Sequence, residues 1–230
     1  TTMTVDDLNL TLASGAANSA AANGAGITID GASATLLYTH ATTSWDMNKK
    51  LNVAVIGLGV GERHIYGYEN DPRCKVVKLC DTNEKKLNEV GLRHPGKKLI
   101  LNPDEVLFDP SIDVVSIASY DTFHCDQIIK AIQNGKHVFV EKPLCLFEEE
   151  LLEIHKQLLC HKKQKLSSNL ILRKTQRFVE LREKIKNREL GEIYYFEGDY
   201  DYGRLHKLTK GWRGKIPYYS AVHGGAIHLI

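Results

Sequence analysis

The first 48 residues contain no lysine and no arginine at all, unlike everything that follows them. The chain also lacks any apolar run near the roughly 18–20 residues that a bilayer-spanning helix requires, and no secretory signal is visible. Its five cysteines, Cys74, Cys80, Cys125, Cys145 and Cys160, form no CxxC pair and are odd in number. They argue against a disulfide framework or a thiolate metal site and for reduced thiols in a cytoplasmic protein. A net charge of +2 gives no footing for nucleic acid or for an anionic membrane surface. What remains is ordinary for a globular chain, 43% apolar and 25% charged, long enough for one large domain or two small ones.

The segment Leu51-Asn-Val-Ala-Val-Ile-Gly-Leu-Gly-Val-Gly61 organises the rest. A near-continuous apolar run from Val53 to Ile56 predicts a strand buried on both faces, as in a parallel sheet. Three glycines at alternate positions, Gly57, Gly59 and Gly61, follow directly, and a helix of about a dozen residues is predicted from Glu62. Such a turn brings the backbone close to a diphosphate, which would sit at the positive end of the helix. The sixth place of the Gly-x-Gly-x-x-Gly pattern is Glu62 rather than a small residue. Gly61 is expected to take over its packing role, with Glu62 turned outward. Asp81 ends the next predicted strand, Lys75 to Cys80, roughly 20 residues past the glycines, where a carboxylate accepts hydrogen bonds from a ribose. That carboxylate would repel a 2′-phosphate and no arginine follows it directly, which favours NAD over NADP.

The alternation of strands and helices continues. Lys98 to Leu101 is predicted as a strand, Asn102-Pro103 as a capped helix start, and Val114 to Ala118 as a buried strand. A helix from about Thr122 should end at Asn134-Gly135, before a strand at His137 to Val140. The rhythm predicts an α/β fold with a doubly wound, parallel Rossmann sheet, whose ligands gather beyond the strands' carboxyl ends. Asp81, Ser119 to His124 and Glu141 to Pro143 fall at such ends.

Asp113-Val-Val-Ser-Ile-Ala-Ser119 with His124, followed by Ala131-Ile-Gln-Asn-Gly-Lys-His-Val-Phe-Val-Glu-Lys-Pro-Leu144, resembles the Gfo/Idh/MocA oxidoreductases. The run GKHVFVEKPL is much more specific than the glycines, and the resemblance extends from about residue 51 to 230. It implies an NAD(P)-dependent enzyme moving a hydride between nicotinamide and a secondary alcohol of a sugar or nucleotide sugar. Lys142 would then lie beside nicotinamide and substrate hydroxyl, where burial lowers a lysine pKa and a cation stabilises an alkoxide. Glu141 would orient Lys142 or a ribose, the plain alternative being a solvated strand-end carboxylate. A cis peptide before Pro143 is also considered. His228 matches the family's active-site histidine, suited to proton transfer. Many relatives carry an aspartate four residues earlier, where this chain has Gly224, so a binding role or a structural buried imidazole stays open for His228. Ser119 and His124 would line the cofactor cleft, with helix packing an equal alternative for His124. Arg173 would meet sugar hydroxyls or a phosphate, or else face solvent. The cluster His155, Cys160 and His161 sits on a predicted helix with the apolar stripe Phe147, Leu151, Ile154 and Leu158, and the spacing does not gather a metal site.

Three segments are expected: a low-complexity, β-rich or disordered leader over 1–48, a Rossmann domain over 49–143, and the start of an incomplete α+β substrate domain over 144–230. The leader should form strands at Leu8 to Leu12, Ile27 to Ile29 and Ala34 to Thr39, with Asp30-Gly31 as a hairpin signal. It resembles short β-rich repeats in tail-fibre and structural proteins of marine phages. After Pro143 one further strand is predicted, Ile193 to Tyr200, and a homo-oligomer through the substrate-domain sheet is expected. The chain reads as a fragment or joined product. The rival to the enzyme is therefore an inactive cofactor-binding fragment fused to a phage-type assembly segment.

Overall fold

The computed structural model describes residues 12–29, 34–47, 49–198, 203, 206 and 210–216. In the leader, strands β1 (Gly26–Ile29) and β2 (Ala34–Thr39) pair antiparallel with Ile29 opposite Ala34, and β3 (Ser44–Met47) pairs with β2. The two expected strands thus form a hairpin, extended by a third that its sequence did not announce. The expected strand at Leu8 to Leu12 lies outside the described residues except for Leu12.

The second sheet begins with β4 (Leu51–Ile56) and continues through α1 (Glu62–Glu69), β5 (Cys74–Cys80), α2 (Glu84–Arg93), β6 (Lys98–Ile100) and α3 (Asp104–Leu107). It goes on with β7 (Val114–Ile117), α4 (His124–Gln133), β8 (His137–Val140), α5 (Glu148–Cys160) and β9 (Leu166–Ser168), and α6 (Gln176–Lys186) follows. All six strands run parallel in the order β6-β5-β4-β7-β8-β9. The direction of winding reverses between β4 and β7, and a crevice opens at their carboxyl ends for that reason.

Strand side chains alternate between the two faces, and both faces are covered. Val53 and Val55 of β4 join Ile65 of α1 and Leu87 and Val90 of α2 in one buried cluster. Ala54 and Ile56 join Val106 and Leu107 of α3, Ile128 and Ile132 of α4 and Ile154 of α5 in the other. A one-residue slip of β4 would exchange these sets, so register is tightly specified.

Several expectations change. Helix α1 spans 8 residues rather than a dozen, because the chain turns at Asn70 and Asp71. Of the apolar stripe on α5, only Ile154 is fully buried, whereas Phe147 and Leu151 are exposed. The parallel sheet does not stop at Pro143, since α5 and β9 extend it to Ser168. Residues Ile193 to Gly198 carry no strand ladder, and Tyr194 is 97% exposed. A strand needs a partner to hold it, and among the described residues this segment has none. No helix among the described residues is long and apolar enough to cross a membrane.

The amino end of the sheet is held by an unusual lysine. Lys136 is 1% exposed, and its ammonium donates to the carbonyls of Asp109 and Ile112 in the loop before β7. Burial pushes its pKa down, opposed by Asp109 and Asp113. Asp109 in turn pairs with Lys78 of β5. Replacing Lys136 by Met keeps the volume but orphans the Ile112 carbonyl, at about 1–3 kcal/mol, and leaves the Asp109 carbonyl with only the Ile112 amide. Lys136→Met should therefore lower the thermal midpoint by roughly 5 °C or more, measured by circular dichroism.

Candidate active site

The glycine turn is built around a backbone contact. Gly57 has φ +85°, and a Cβ there would lie 2.3 Å from the carbonyl oxygen of Ala118 at the end of β7. Only glycine combines that conformation with that approach. Gly61 plays the expected packing role: a Cβ on it would meet Gly57 O at 2.1 Å and Val55 Cγ1 at 3.0 Å. Gly59 differs from both, since a Cβ there would meet nothing within 4 Å. Space, not protein, lies over Gly59.

Glu62 is turned outward and held there. Its carboxylate takes hydrogen bonds from Arg93 at 2.6 and 3.0 Å and stands 3.6 Å from His94 Nε2. The Arg93 hydrogen bond holds its carboxyl below the usual range against some desolvation. The charge that would disturb a phosphate is thus spent on the end of α2.

Asp81 is fastened to the same turn. Oδ2 accepts the Leu58 amide at 2.8 Å and Oδ1 the Asn83 amide at 2.9 Å. A carboxylate accepts about four hydrogen bonds, so capacity remains for ribose hydroxyls. Asn83 also caps α2 through the amide of Lys86. The turn, Asp81, Asn83, Lys86, Ser119, Glu141 and Lys142 line one cleft of about 490 Å³ at the switch point. That is the size of a small-ligand site. An open space over Gly59 and a carboxylate with spare acceptors beside it are what a dinucleotide's diphosphate and ribose require.

Ser119 lies in the cleft wall, where its hydroxyl donates to Gln127 at 2.7 Å. His124 lies behind that wall, fully buried, with Nδ1 2.7 Å from Pro143 O and Nε2 3.2 Å from Ser119 O. The expectation that His124 lines the cleft gives way to a strut joining α4 to two strand-end loops. Arg173 is not in this cleft either; it is exposed beside a second concavity with Ser167, Ser168 and Lys174. His228, with Gly224 and His223, lies outside the described residues.

Lys142 is half-buried, and the peptide joining it to Pro143 is cis. Burial pushes its pKa down, Asp121 opposes this, Arg213 reinforces it, and Glu141 opposes it least. Glu141 Oε1 takes hydrogen bonds from Asn169 Nδ2 at 2.7 Å and His64 Nε2 at 3.1 Å. Burial pushes the Glu141 carboxyl up, yet these donors leave it below the usual value. The cleft also includes Tyr120, Asp121, Trp212 and Arg213, which the sequence did not single out. Tyr120 stacks on Trp212 at 4.7 Å and Arg213 lies 4.3 Å over the same ring. The Trp-Arg pair between Gly211 and Gly214 was the available signal. Among the described residues no group of His, Cys, Asp or Glu could hold a metal ion. The Cys80 thiol at the cleft floor is pushed up to about 12 by burial, which disfavours its thiolate.

The Gfo/Idh/MocA profile, described as an oxidoreductase family with an NAD-binding Rossmann fold, matches residues 51–170. The chain belongs to this family. Among relatives of this Gfo/Idh/MocA member, the NAD⁺-dependent scyllo-inositol 2-dehydrogenase of Bacillus subtilis is 40% identical over 106 residues, 45% of this chain and 31% of that protein. D-glucoside 3-dehydrogenase of Escherichia coli is 30% identical over 150 residues, 63% of this chain and 41% of that one. The crystal structure of myo-inositol 2-dehydrogenase from Lactobacillus plantarum superimposes with a TM-score of 0.58 at 30% identity, covering 63% of this chain and 43% of that one. The chain thus matches less than half the length of each of these relatives.

The closed Gly57 and the open Gly59 make separable predictions. Gly57→Ala forces a side chain into backbone and should prevent stable folding, read as loss of a cooperative thermal transition. Gly59→Ala should melt like the parent yet bind NADH roughly tenfold more weakly, about 1.4 kcal/mol, by titration calorimetry.

Proposed function

We propose that this Gfo/Idh/MocA member acts in NAD-dependent oxidoreduction of a secondary alcohol on a sugar, a nucleotide sugar or an inositol. Nicotinamide, when bound, supplies the hydride acceptor or donor. The observation that carries the reading is that Lys142 shares one cleft with Gly57, Gly59 and Asp81. A chemistry-bearing amine and a dinucleotide cradle in one crevice are what such an enzyme needs. The inositol and glucoside dehydrogenases among the relatives support the substrate class.

Each residue then has a task. Gly59 leaves room for the diphosphate, and Asp81 accepts ribose hydroxyls while repelling a 2′-phosphate. Lys142, its pKa lowered by burial, takes the hydroxyl proton as a neutral amine or stabilises the alkoxide as a cation. Ser119 shapes the wall beside it. His228 would serve as a second proton-transfer group, with Gly224 in place of the orienting aspartate. Arg173 would reach substrate only from outside the cleft.

Titration calorimetry with NADH and NADPH, followed by turnover of a panel of inositols, glucosides and nucleotide sugars, tests the proposal. NADH should bind at least tenfold more tightly than NADPH. Lys142→Ala should lower kcat by about 10²-fold or more, the scale of a lost general base, with NADH binding little changed. Failure to bind either nucleotide would sink the reading. Binding with no turnover of any alcohol would favour the cofactor-binding fragment instead.

A further inference from the structure

Below the cleft a line of polar side chains crosses from the glycine-turn helix to the end of β8. His64 of α1 places Nδ1 2.9 Å from Ser116 Oγ on β7 and Nε2 3.1 Å from Glu141 Oε1. The His64 and Glu141 side chains are only 9% and 14% exposed, too dry for water to substitute freely for either partner. The imidazole meets the Phe139 ring edge-on at 5.3 Å, which fixes its plane. Asn169, just past β9, holds the same Oε1. The other oxygen, Oε2, accepts the Lys142 backbone amide at 3.2 Å.

The direction of the hydrogen bonds follows from the carboxylate. Glu141 is kept ionised and accepts only, so Nε2 of His64 carries the proton it donates. With the proton on Nε2, Nδ1 is the acceptor and the Ser116 hydroxyl donates there. This tautomer gives both ring nitrogens a partner. Through it, Glu141 is gripped from α1, from the segment after β9 and by its own following peptide. That grip fixes the backbone direction in which Lys142 leaves the strand.

We propose that His64 is a positioning residue for Lys142, acting through the Glu141 carboxylate. This rests on the reading of Lys142 as the active-site amine. It ties the amine to the same helix whose first turn closes the glycine cradle, so cofactor turn and catalytic lysine keep a fixed relation. His64 itself does not line the cleft.

The test measures Lys142 directly. Acetylation rates of single lysines, followed by mass spectrometry, need neither nucleotide nor turnover. In His64→Leu, which keeps the packing on Phe139 but removes the donor, the Lys142 rate should change at least threefold. Lys86, also in the cleft but on α2, should be unaffected. His64→Gln, whose amide donates to Glu141 and accepts from Ser116, should restore the parental rate. Where the enzyme turns over, kcat should follow the same order while KM for NADH stays constant. An unchanged Lys142 rate in His64→Leu overturns the proposal. So does a parallel change at Lys86, or failure of His64→Gln to restore, since either marks general loosening. If His64→Leu does not fold, His64→Met takes its place as the variant lacking the donor to Glu141, and an unchanged Lys142 rate there overturns the proposal equally. A parental chain with no dehydrogenase activity would sink the proposed function alone and leave the labelling to decide His64.

Discussion

The whole arrangement depends on how closely two strand ends approach. Gly57 lies against the Ala118 carbonyl at the topological switch between β4 and β7, in a conformation open to glycine and in a space closed to any side chain. Because the turn is that tight, Gly61 sits over Val55 and α1 starts at once. The cleft then forms above a packed floor instead of a loose loop. Asp81 adds the lateral tie, since its carboxylate holds the Leu58 amide. A ligand at Asp81 is thereby coupled to the geometry of the glycine turn.

How much was legible follows from how local each signal is. The strand Val53 to Ile56 and the strand His137 to Val140 stood out because continuous apolar residues between polar breaks leave few other readings. The glycines, Asp81 and Lys142 are positioned by that same local grammar, each at a strand's end. By contrast β9 is three residues long and follows a basic run, with no periodicity to mark it. Only its pairing with β8 makes it a strand. The converse case is Ile193 to Phe196, whose composition suits a sheet but whose backbone finds no ladder among the described residues.

The polar partners of Glu141 were illegible for a related reason. His64, Ser116, Glu141 and Asn169 are far apart in sequence and meet only because α1, β7, β8 and the segment after β9 converge. Their types are unremarkable one at a time. The same holds for Trp212, which reaches Tyr120 across almost a hundred residues of chain, with Arg213 over its ring. Glu62 shows the opposite case. The residue that breaks the glycine pattern is held away by an ion pair with Arg93 at the far end of α2.

The environment of Lys142 separates two roles that its neighbour could play. If Glu141 acted mainly as a counter-ion, it would be the largest influence raising the lysine's pKa. It is instead the smallest of those acting, behind burial, Asp121 and Arg213. The Glu141 carboxylate is turned instead to the His64 and Asn169 donors, which hold its Oε1. Burial then remains the dominant influence and lowers the amine's pKa from its ordinary value, while Asp121 moderates the shift. The anchored carboxylate contributes direction rather than charge. That division lets one short strand end both depress a lysine's basicity and hold it still, two demands that a direct Lys–Glu pair would set against each other.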